Sequence, residues 1–146
     1  MAPFSQKKEP PRNPGRFIAL SSPTWGGESI AVIVNKETAG KLNPDQVGNI
    51  FLGKASALPN GTHVIPLDQA GNSTVREAFY QRTTGKDLNQ LRAYWARLIF
   101  SGKGEPPKEV GGDQEVKALV AKNPNLIGYI HSKAVDESVT TLLTLP

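Results

Sequence analysis

Apolar and polar residues form blocks along residues 29–146, and the blocks change between strand-like and helix-like periods. The run Ile-Ala-Val-Ile-Val at residues 30–34 is continuously apolar, which predicts a strand that is buried on both faces in a parallel sheet. Apolar runs at residues 64–67, 126–130 and 139–145 predict three further strands. Because helical blocks separate these strands, the predicted fold class is α/β, with a mostly parallel sheet flanked by helices.

Four helices are predicted from apolar residues at three- and four-residue spacing. The first begins after Asn43, an N-cap followed by Pro, an acid and a Gln at the capping-box position, and it ends at Gly53. The third is capped in the same way by Asp87 and runs for about fourteen residues. Its apolar face includes Tyr94 and Trp95, for which core packing is favoured over a ligand-stacking role.

The fourth helix is predicted at residues 114–122, with Val116, Leu119 and Val120 buried. Residues 101–112, which precede it, contain five Gly and Pro residues after residue 103 and are predicted to form a surface loop. The Ser-Gly-Lys-Gly sequence at the start of this loop lacks Walker spacing and runs into two prolines. A nucleotide-binding loop is therefore excluded.

The clearest functional signal lies in the turn before the second helix. Residues 64–80 are VIPLDQAGNSTVREAFY, which predicts a short strand, a polar turn at residues 68–72 and a helix beginning at Ser73 or Thr74. The first backbone N–H groups of a helix lack partners within it, and the helix dipole adds partial positive charge there. This corner therefore predicts an anion-binding site. The alternative is that Ser73 and Thr74 only cap the helix.

Three segments, in this order, resemble the phosphate-type substrate-binding proteins of ABC uptake systems. They are VGNIFLGK at residues 47–54, REAF at residues 76–79 and LVAKNPNLIGYI at residues 119–130. They are similar to the family's Ile-Phe-x-Gly-Lys helix end, its ligand-loop helix and its closing helix-turn-strand. The resemblance covers residues 29–146 and implies a single lobe of a type II periplasmic-binding-protein-like fold, whereas usual members have two lobes that close on the ligand.

What the resemblance implies for the ligand loop depends on the register. Aligning on REAF places Ser73 on the family's Ser, Val75 on its Thr and Gln69 where the family has an Arg. Aligning on Gly71 places Asn72 on the Ser and Thr74 on the Thr instead. In both registers the Arg is absent, which removes the bidentate fork that suits phosphate. The candidate ligand-binding residues are Gln69, Gly71, Asn72, Ser73, Thr74 and Val75. We call residues 71–75 the cradle.

The resemblance implies a solute-binding module for phosphate or another small oxyanion, without a cofactor. It also implies a periplasmic or other extracytoplasmic location and an ABC transporter permease as partner, and a homodimer facing these loops would imitate the two-lobed cleft. The alternative function is a protein-interaction or assembly module that kept the fold and lost the ligand. An enzyme is the least favoured class, because no Ser-His-Asp arrangement or carboxylate pair is evident.

The composition of the chain argues against several other kinds of function. The net charge of +4 is split evenly between residues 1–28 and residues 29–146 and is interspersed with acids, so nucleic-acid binding is not predicted. There is no cysteine, which excludes thiolate catalysis. The two histidines, His63 and His131, are isolated in the sequence, which argues against a metal site. No run of about 18 apolar residues exists, so no membrane-spanning helix is predicted.

Residues 1–28 differ in composition from the remainder. They contain five prolines and a Gly-Gly pair, and they are predicted to form a flexible leader before a domain at residues 29–146. Their longest apolar run, at residues 17–20, is shorter than the roughly seven to fifteen residues of a secretory h-region. No signal peptide is therefore visible in this sequence.

Overall fold

The structure is a computed structural model that describes residues 29–71 and 73–146. The predicted leader, residues 1–28, and Asn72 lie outside the described residues. In chain order the elements are β1 (Ile30–Asn35), α1 (Pro44–Phe51), β2 (Ile65–Asp68), α2 (Thr74–Thr84), α3 (Leu88–Phe100), β3 (Lys108–Glu109), α4 (Asp113–Lys122), β4 (Leu126–His131), a 3-10 turn (Ser132–Ala134) and β5 (Val139–Leu145). The predicted α/β class is confirmed.

The strands form one five-stranded sheet in the order β3-β2-β4-β1-β5. β2 is parallel to both β3 and β4, whereas β1 is antiparallel to both β4 and β5. Four of these strands therefore run in one direction, and β1 runs against them. The prediction of parallel surroundings for residues 30–34 is wrong, because a continuous apolar run reports burial on both faces and not the direction of the neighbouring strands.

The core lies on both faces of this sheet. Apolar residues of α1, α2 and α3 pack on one face, where the ring of Phe79 stacks on that of Tyr129 with centroids 3.9 Å apart. α4 covers the other face through Val116 and Val120, which pack against Ala31 and Ile33 of β1. The interior strand β1 thus alternates its side chains between two separate apolar clusters, and the prediction that it is buried on both faces is confirmed.

Two glycines allow the helices to pack closely. A Cβ atom at Gly128 in β4 would lie 2.5 Å from Cγ1 of Val116, so only a residue without a side chain lets α4 approach the sheet here. In the same way, a Cβ atom at Gly48 in α1 would lie 2.5 Å from the carbonyl oxygen of Thr83 in α2.

Most local predictions are confirmed, and three need correction. The capping boxes at Asn43 and Asp87 form as predicted. Leu119 was predicted to be buried but is 41% exposed, because α4 contacts the sheet through the narrow stripe of Val116 and Val120. The predicted loop at residues 101–112 contains β3, a two-residue edge strand, and the predicted turn residue Asp68 is the last residue of β2.

Candidate anion-binding site

The candidate site lies at the edge of the sheet where β2 and β4 end. These strands are parallel, so their carboxyl ends, Asp68 and His131, lie at the same edge. α2 begins six residues after β2 ends, which places its N-terminus beyond this edge. The carboxyl ends of strands in open α/β sheets are the usual position of ligand sites.

Ser73 is the N-cap of α2. Its backbone is extended, with φ −67° and ψ 157°, and its Oγ accepts a hydrogen bond from the backbone N–H of Arg76 over 3.2 Å. Its carbonyl oxygen accepts the first helical bond, from the N–H of Glu77 over 3.1 Å. Ser73 therefore acts as a helix cap, which is the alternative role predicted for it from the sequence.

Gly71, Thr74 and Val75 are the other described residues of the cradle. Gly71 is exposed and has a positive φ of 78°, which favours glycine at this turn. Thr74 is exposed, whereas the Val75 side chain is buried in the core at 4% exposure. As the first two residues of α2, Thr74 and Val75 have N–H groups that precede the internal hydrogen bonds of the helix. These two N–H groups are donors that the cradle can offer to an anion.

Gln69 is held away from solvent by its own hydrogen bonds. Its side chain is buried, and its Nε2 donates to Oδ1 of Asp113 over 2.8 Å and to the carbonyl oxygen of Tyr129 over 2.9 Å. Both hydrogens of this amide therefore have acceptors in the protein. A ligand-binding role for Gln69 stays a prediction, and the contacts show that this side chain joins the ligand loop to α4 and β4.

A buried carboxylate lies directly under the cradle, at Asp68. It accepts hydrogen bonds from the hydroxyls of Tyr80 and Tyr129, from the backbone N–H of Gln69 and from the guanidinium of Arg76. The Arg76 pair is largely buried, with side-chain exposures of 14% for Arg76 and 3% for Asp68. Arg76 also donates to the carbonyl oxygen of Gly71 over 3.3 Å. Arg76 therefore ties the start of α2 to the end of β2 and to the cradle.

The protonation states of this cluster follow from burial and from Asp68. Burial raises the pKa of the hydroxyls of Tyr80 and Tyr129, and the Asp68 carboxylate raises it further. Burial acts to lower the pKa of Arg76, but the hydrogen bonds and the charge of Asp68 outweigh it, so this pKa is raised. Both tyrosines therefore remain hydrogen-bond donors, and Arg76 remains charged.

A second polar pair lies at the same edge, between α4 and β4. Oδ2 of Asp113 is 2.7 Å from Nδ1 of His131, and its Oδ1 accepts from Gln69. Burial acts to raise the pKa of Asp113, but the hydrogen bonds from Gln69 and His131 lower it. The pair continues the hydrogen-bonded network from the ligand loop to the N-terminus of α4.

The Asp68 cluster was missed by sequence reasoning. Its partners lie up to 61 residues apart in sequence, and only the fold brings Tyr129 against Asp68. One local signal was present, since an acid at the end of an apolar strand and an Arg eight residues later flank the same turn. The sequence therefore predicted Asp68 in a turn and Arg76 in a helix motif. It did not predict that their side chains pair.

Two kinds of feature are absent from the described ranges. No helix among them is both long and apolar enough to cross a membrane. Within residues 29–71 and 73–146, no group of three or more His, Asp or Glu side chains is placed to hold a metal ion.

Several solved structures resemble this one, and two of them are described here. One, from Clostridium perfringens, is described as a phosphate ABC transporter substrate-binding protein with bound phosphate; its TM-score is 0.62 at 24% identity, over 79% of this chain and 44% of that chain. The other, an ABC-type phosphate transport receptor from Vibrio cholerae, has a TM-score of 0.58 at 18% identity, over 79% of this chain and 45% of that chain. No family model and no curated protein matches the sequence.

This chain has the fold of phosphate-type substrate-binding proteins. The match spans less than half of the length of the two solved structures, which corresponds to a single lobe. Both structures are named as transport or binding proteins, and neither is named as an enzyme. The resemblance seen in the three sequence segments is therefore confirmed for the fold.

Proposed function

We propose that this domain is a solute-binding module that binds a small oxyanion, such as phosphate, at the N-terminus of α2. The observation that carries the proposal is the pair of N–H groups of Thr74 and Val75, which begin an eleven-residue helix at the carboxyl edge of the sheet. The bound phosphate named for the Clostridium perfringens structure, which has the same fold, supports a small oxyanion as ligand.

The charges around the cradle favour modest affinity. Arg76 contacts the cradle through the carbonyl oxygen of Gly71, but its charge is balanced by Asp68 at 3.2 Å. Gln69 stands where the resemblance places an Arg, and it contributes no charge. An open cradle is also wet, so its hydrogen bonds to an anion compete with water. We therefore expect a Kd of about 1 mM for inorganic phosphate bound to this domain alone.

Tighter binding would need a second wall over the cradle. We propose that a partner surface supplies it, either a second copy of this domain or a separate protein placed against the edge that carries residues 68–74. The resemblance supports a permease of an ABC transporter as a further partner and an extracytoplasmic location. No contact among the described residues favours the interaction-module alternative over ligand binding.

A thermal melting screen tests the proposed ligand class. The ligands are phosphate, sulfate, molybdate and small carboxylates, each at constant ionic strength with chloride as the reference anion. A ligand that binds only the folded state at ten times its Kd stabilises it by about 1.4 kcal/mol, which raises the melting temperature by several degrees. Melting temperatures that are the same in every anion would contradict the proposal.

A pair of substitutions at Thr74 then locates the site. Pro is favoured at the first position of a helix, and the extended Ser73 tolerates a following Pro, so Thr74→Pro removes one N–H donor with little strain. Thr74→Ala keeps the N–H and removes only the hydroxyl. We expect Thr74→Pro to weaken phosphate binding about tenfold, the lower end of the range for a hydrogen bond to a charged group. Equal affinities in Thr74→Pro and Thr74→Ala would exclude the N–H as a ligand.

A further inference from the structure

A groove of about 410 Å³ lies beside the cradle, between α3 and the segment that leads into β3. Gly71 of the cradle and Arg76 line it together with residues of α3, so the groove and the cradle share a wall. Its volume lies within the range of about 300–1,000 Å³ that is usual for small-molecule sites. Inorganic phosphate in the cradle would leave this space unused.

The lining of the groove is mostly apolar. Leu91, Trp95 and Ile99 of α3 contribute apolar surface, and Ile99 remains 55% exposed. Ala96 lies between them on the same helix, and its small side chain keeps the groove open. A flat or aromatic group would gain contact with this surface.

Three charged side chains line the groove, those of Arg76, Arg92 and Glu109. Arg76 is already paired with Asp68. The guanidinium of Arg92 donates to the neutral side-chain oxygen of Asn89 over 2.8 Å, and no carboxylate among the described residues pairs with it. Arg92 is therefore the arginine of the groove with which the anionic group of a ligand can pair.

We propose that the groove binds the apolar substituent of an organic oxyanion, a phosphonate or phosphate monoester with an aryl or branched alkyl group, whose anionic group lies in the cradle. The inference rests on the proposed function of the cradle and names its ligand class. Arg92 attracts the anion from the groove side and supplies a positive charge that Gln69 does not. The apolar floor then distinguishes the organic ligand from inorganic phosphate.

Calorimetric titration with two ligands tests the proposal. Phenylphosphonate and methylphosphonate carry the same anionic group and differ in apolar size, so their affinity ratio isolates the groove. We expect phenylphosphonate to bind the native protein about tenfold more tightly, because burying an aromatic ring removes apolar surface from water. Equal affinities for the two phosphonates would overturn the inference, while measurable binding of both would leave the proposed function standing.

Matched variants on α3 locate the effect. Ala96→Leu fills the groove, whereas Ala93→Leu adds the same side chain at another exposed position of α3 that does not line it. We expect the phenyl preference to be lost in Ala96→Leu and kept in Ala93→Leu. Likewise, Arg92→Gln is expected to weaken both phosphonates several-fold, and Arg97→Gln, on the same helix but outside the groove, is expected to weaken neither. Equal effects within either pair would overturn the proposal.

The variant Thr74→Pro separates this inference from the proposed function. If the anionic group lies in the cradle, Thr74→Pro weakens both phosphonates by the same factor and leaves their ratio unchanged. If phenylphosphonate binds equally well to the native protein and to Thr74→Pro, the groove does not work with the cradle and the inference is overturned. If neither phosphonate binds the native protein, the proposed function and the inference fail together.

Discussion

Replacing Asp68 by Asn removes the charge on which the polar cluster under the cradle depends. The carboxylate accepts from Arg76, from the hydroxyls of Tyr80 and Tyr129 and from the N–H of Gln69. An Asn side chain has nearly the same shape but turns one acceptor into a donor that faces other donors. The variant therefore loses hydrogen bonds and leaves the Arg76 charge without its partner.

The size of the effect follows from burial. Removing one partner of a buried ion pair costs about 3–5 kcal/mol. Arg76 keeps 14% of its side-chain surface in contact with water, so part of its charge is still solvated. We therefore expect Asp68→Asn to lower the free energy of unfolding by about 3 kcal/mol, the lower end of that range.

Urea unfolding followed by circular dichroism measures this loss. We expect a lower midpoint with an unchanged m-value, which reports a change in stability alone. Arg76→Gln and the double variant complete a cycle whose coupling energy isolates the ion pair. Asp136→Asn, which breaks the pair of Lys117 with an Asp136 side chain that is 45% exposed, is the control and should have a smaller effect. A loss below about 1 kcal/mol in Asp68→Asn, or additive effects in the cycle, would refute this account of the cluster.

Three further predictions concern packing, pH and capping. Gly128→Ala should destabilise the protein by about 1–3 kcal/mol through its clash with Val116, and Val116→Ala should restore part of the loss in the same urea assay. Because folding raises the pKa of Tyr129, its stabilising contribution should be complete below about pH 10, the ordinary pKa, and the free energy of unfolding should fall above it. The free energy of unfolding of Tyr129→Phe should fall less steeply with pH. An equal slope in the two proteins would contradict this assignment. Ser73→Ala should cost about 0.5–2 kcal/mol as a lost N-cap, and unchanged stability would exclude that role.

The elements of the fold could be predicted from sequence because each has a local cause. Capping residues such as Asn43 and Asp87 determine where their helices begin, and both capping boxes formed as predicted. The direction of β1 could not be predicted, since an apolar run is the same for a parallel and an antiparallel central strand. The two-residue strand β3 has no periodicity of its own and exists because it pairs with Leu67 and Asp68 of β2.

The candidate site was predictable only in part. The cap at Ser73 and the start of α2 follow from the residues of one turn, so local sequence located them. The burial of Gln69 and Asp68 depends on Tyr129 and Asp113, which lie 44 to 61 residues further along the chain. The groove likewise exists only because α3 packs beside Gly71. Contacts of this kind are set by the packing of distant elements and leave no periodic signal in the sequence.

Phosphate titration of the isotope-labelled protein, followed by backbone amide resonances, tests the central claim most directly. The account predicts that the amide resonances of Thr74 and Val75 shift most and saturate with one common Kd. The first-turn amides of α3, at Leu88 and Asn89, are the internal control, because they also begin a helix but lie outside the cradle. Shifts of equal size at both helix N-termini, or saturating shifts confined to other parts of the domain, would contradict an anion site at the start of α2.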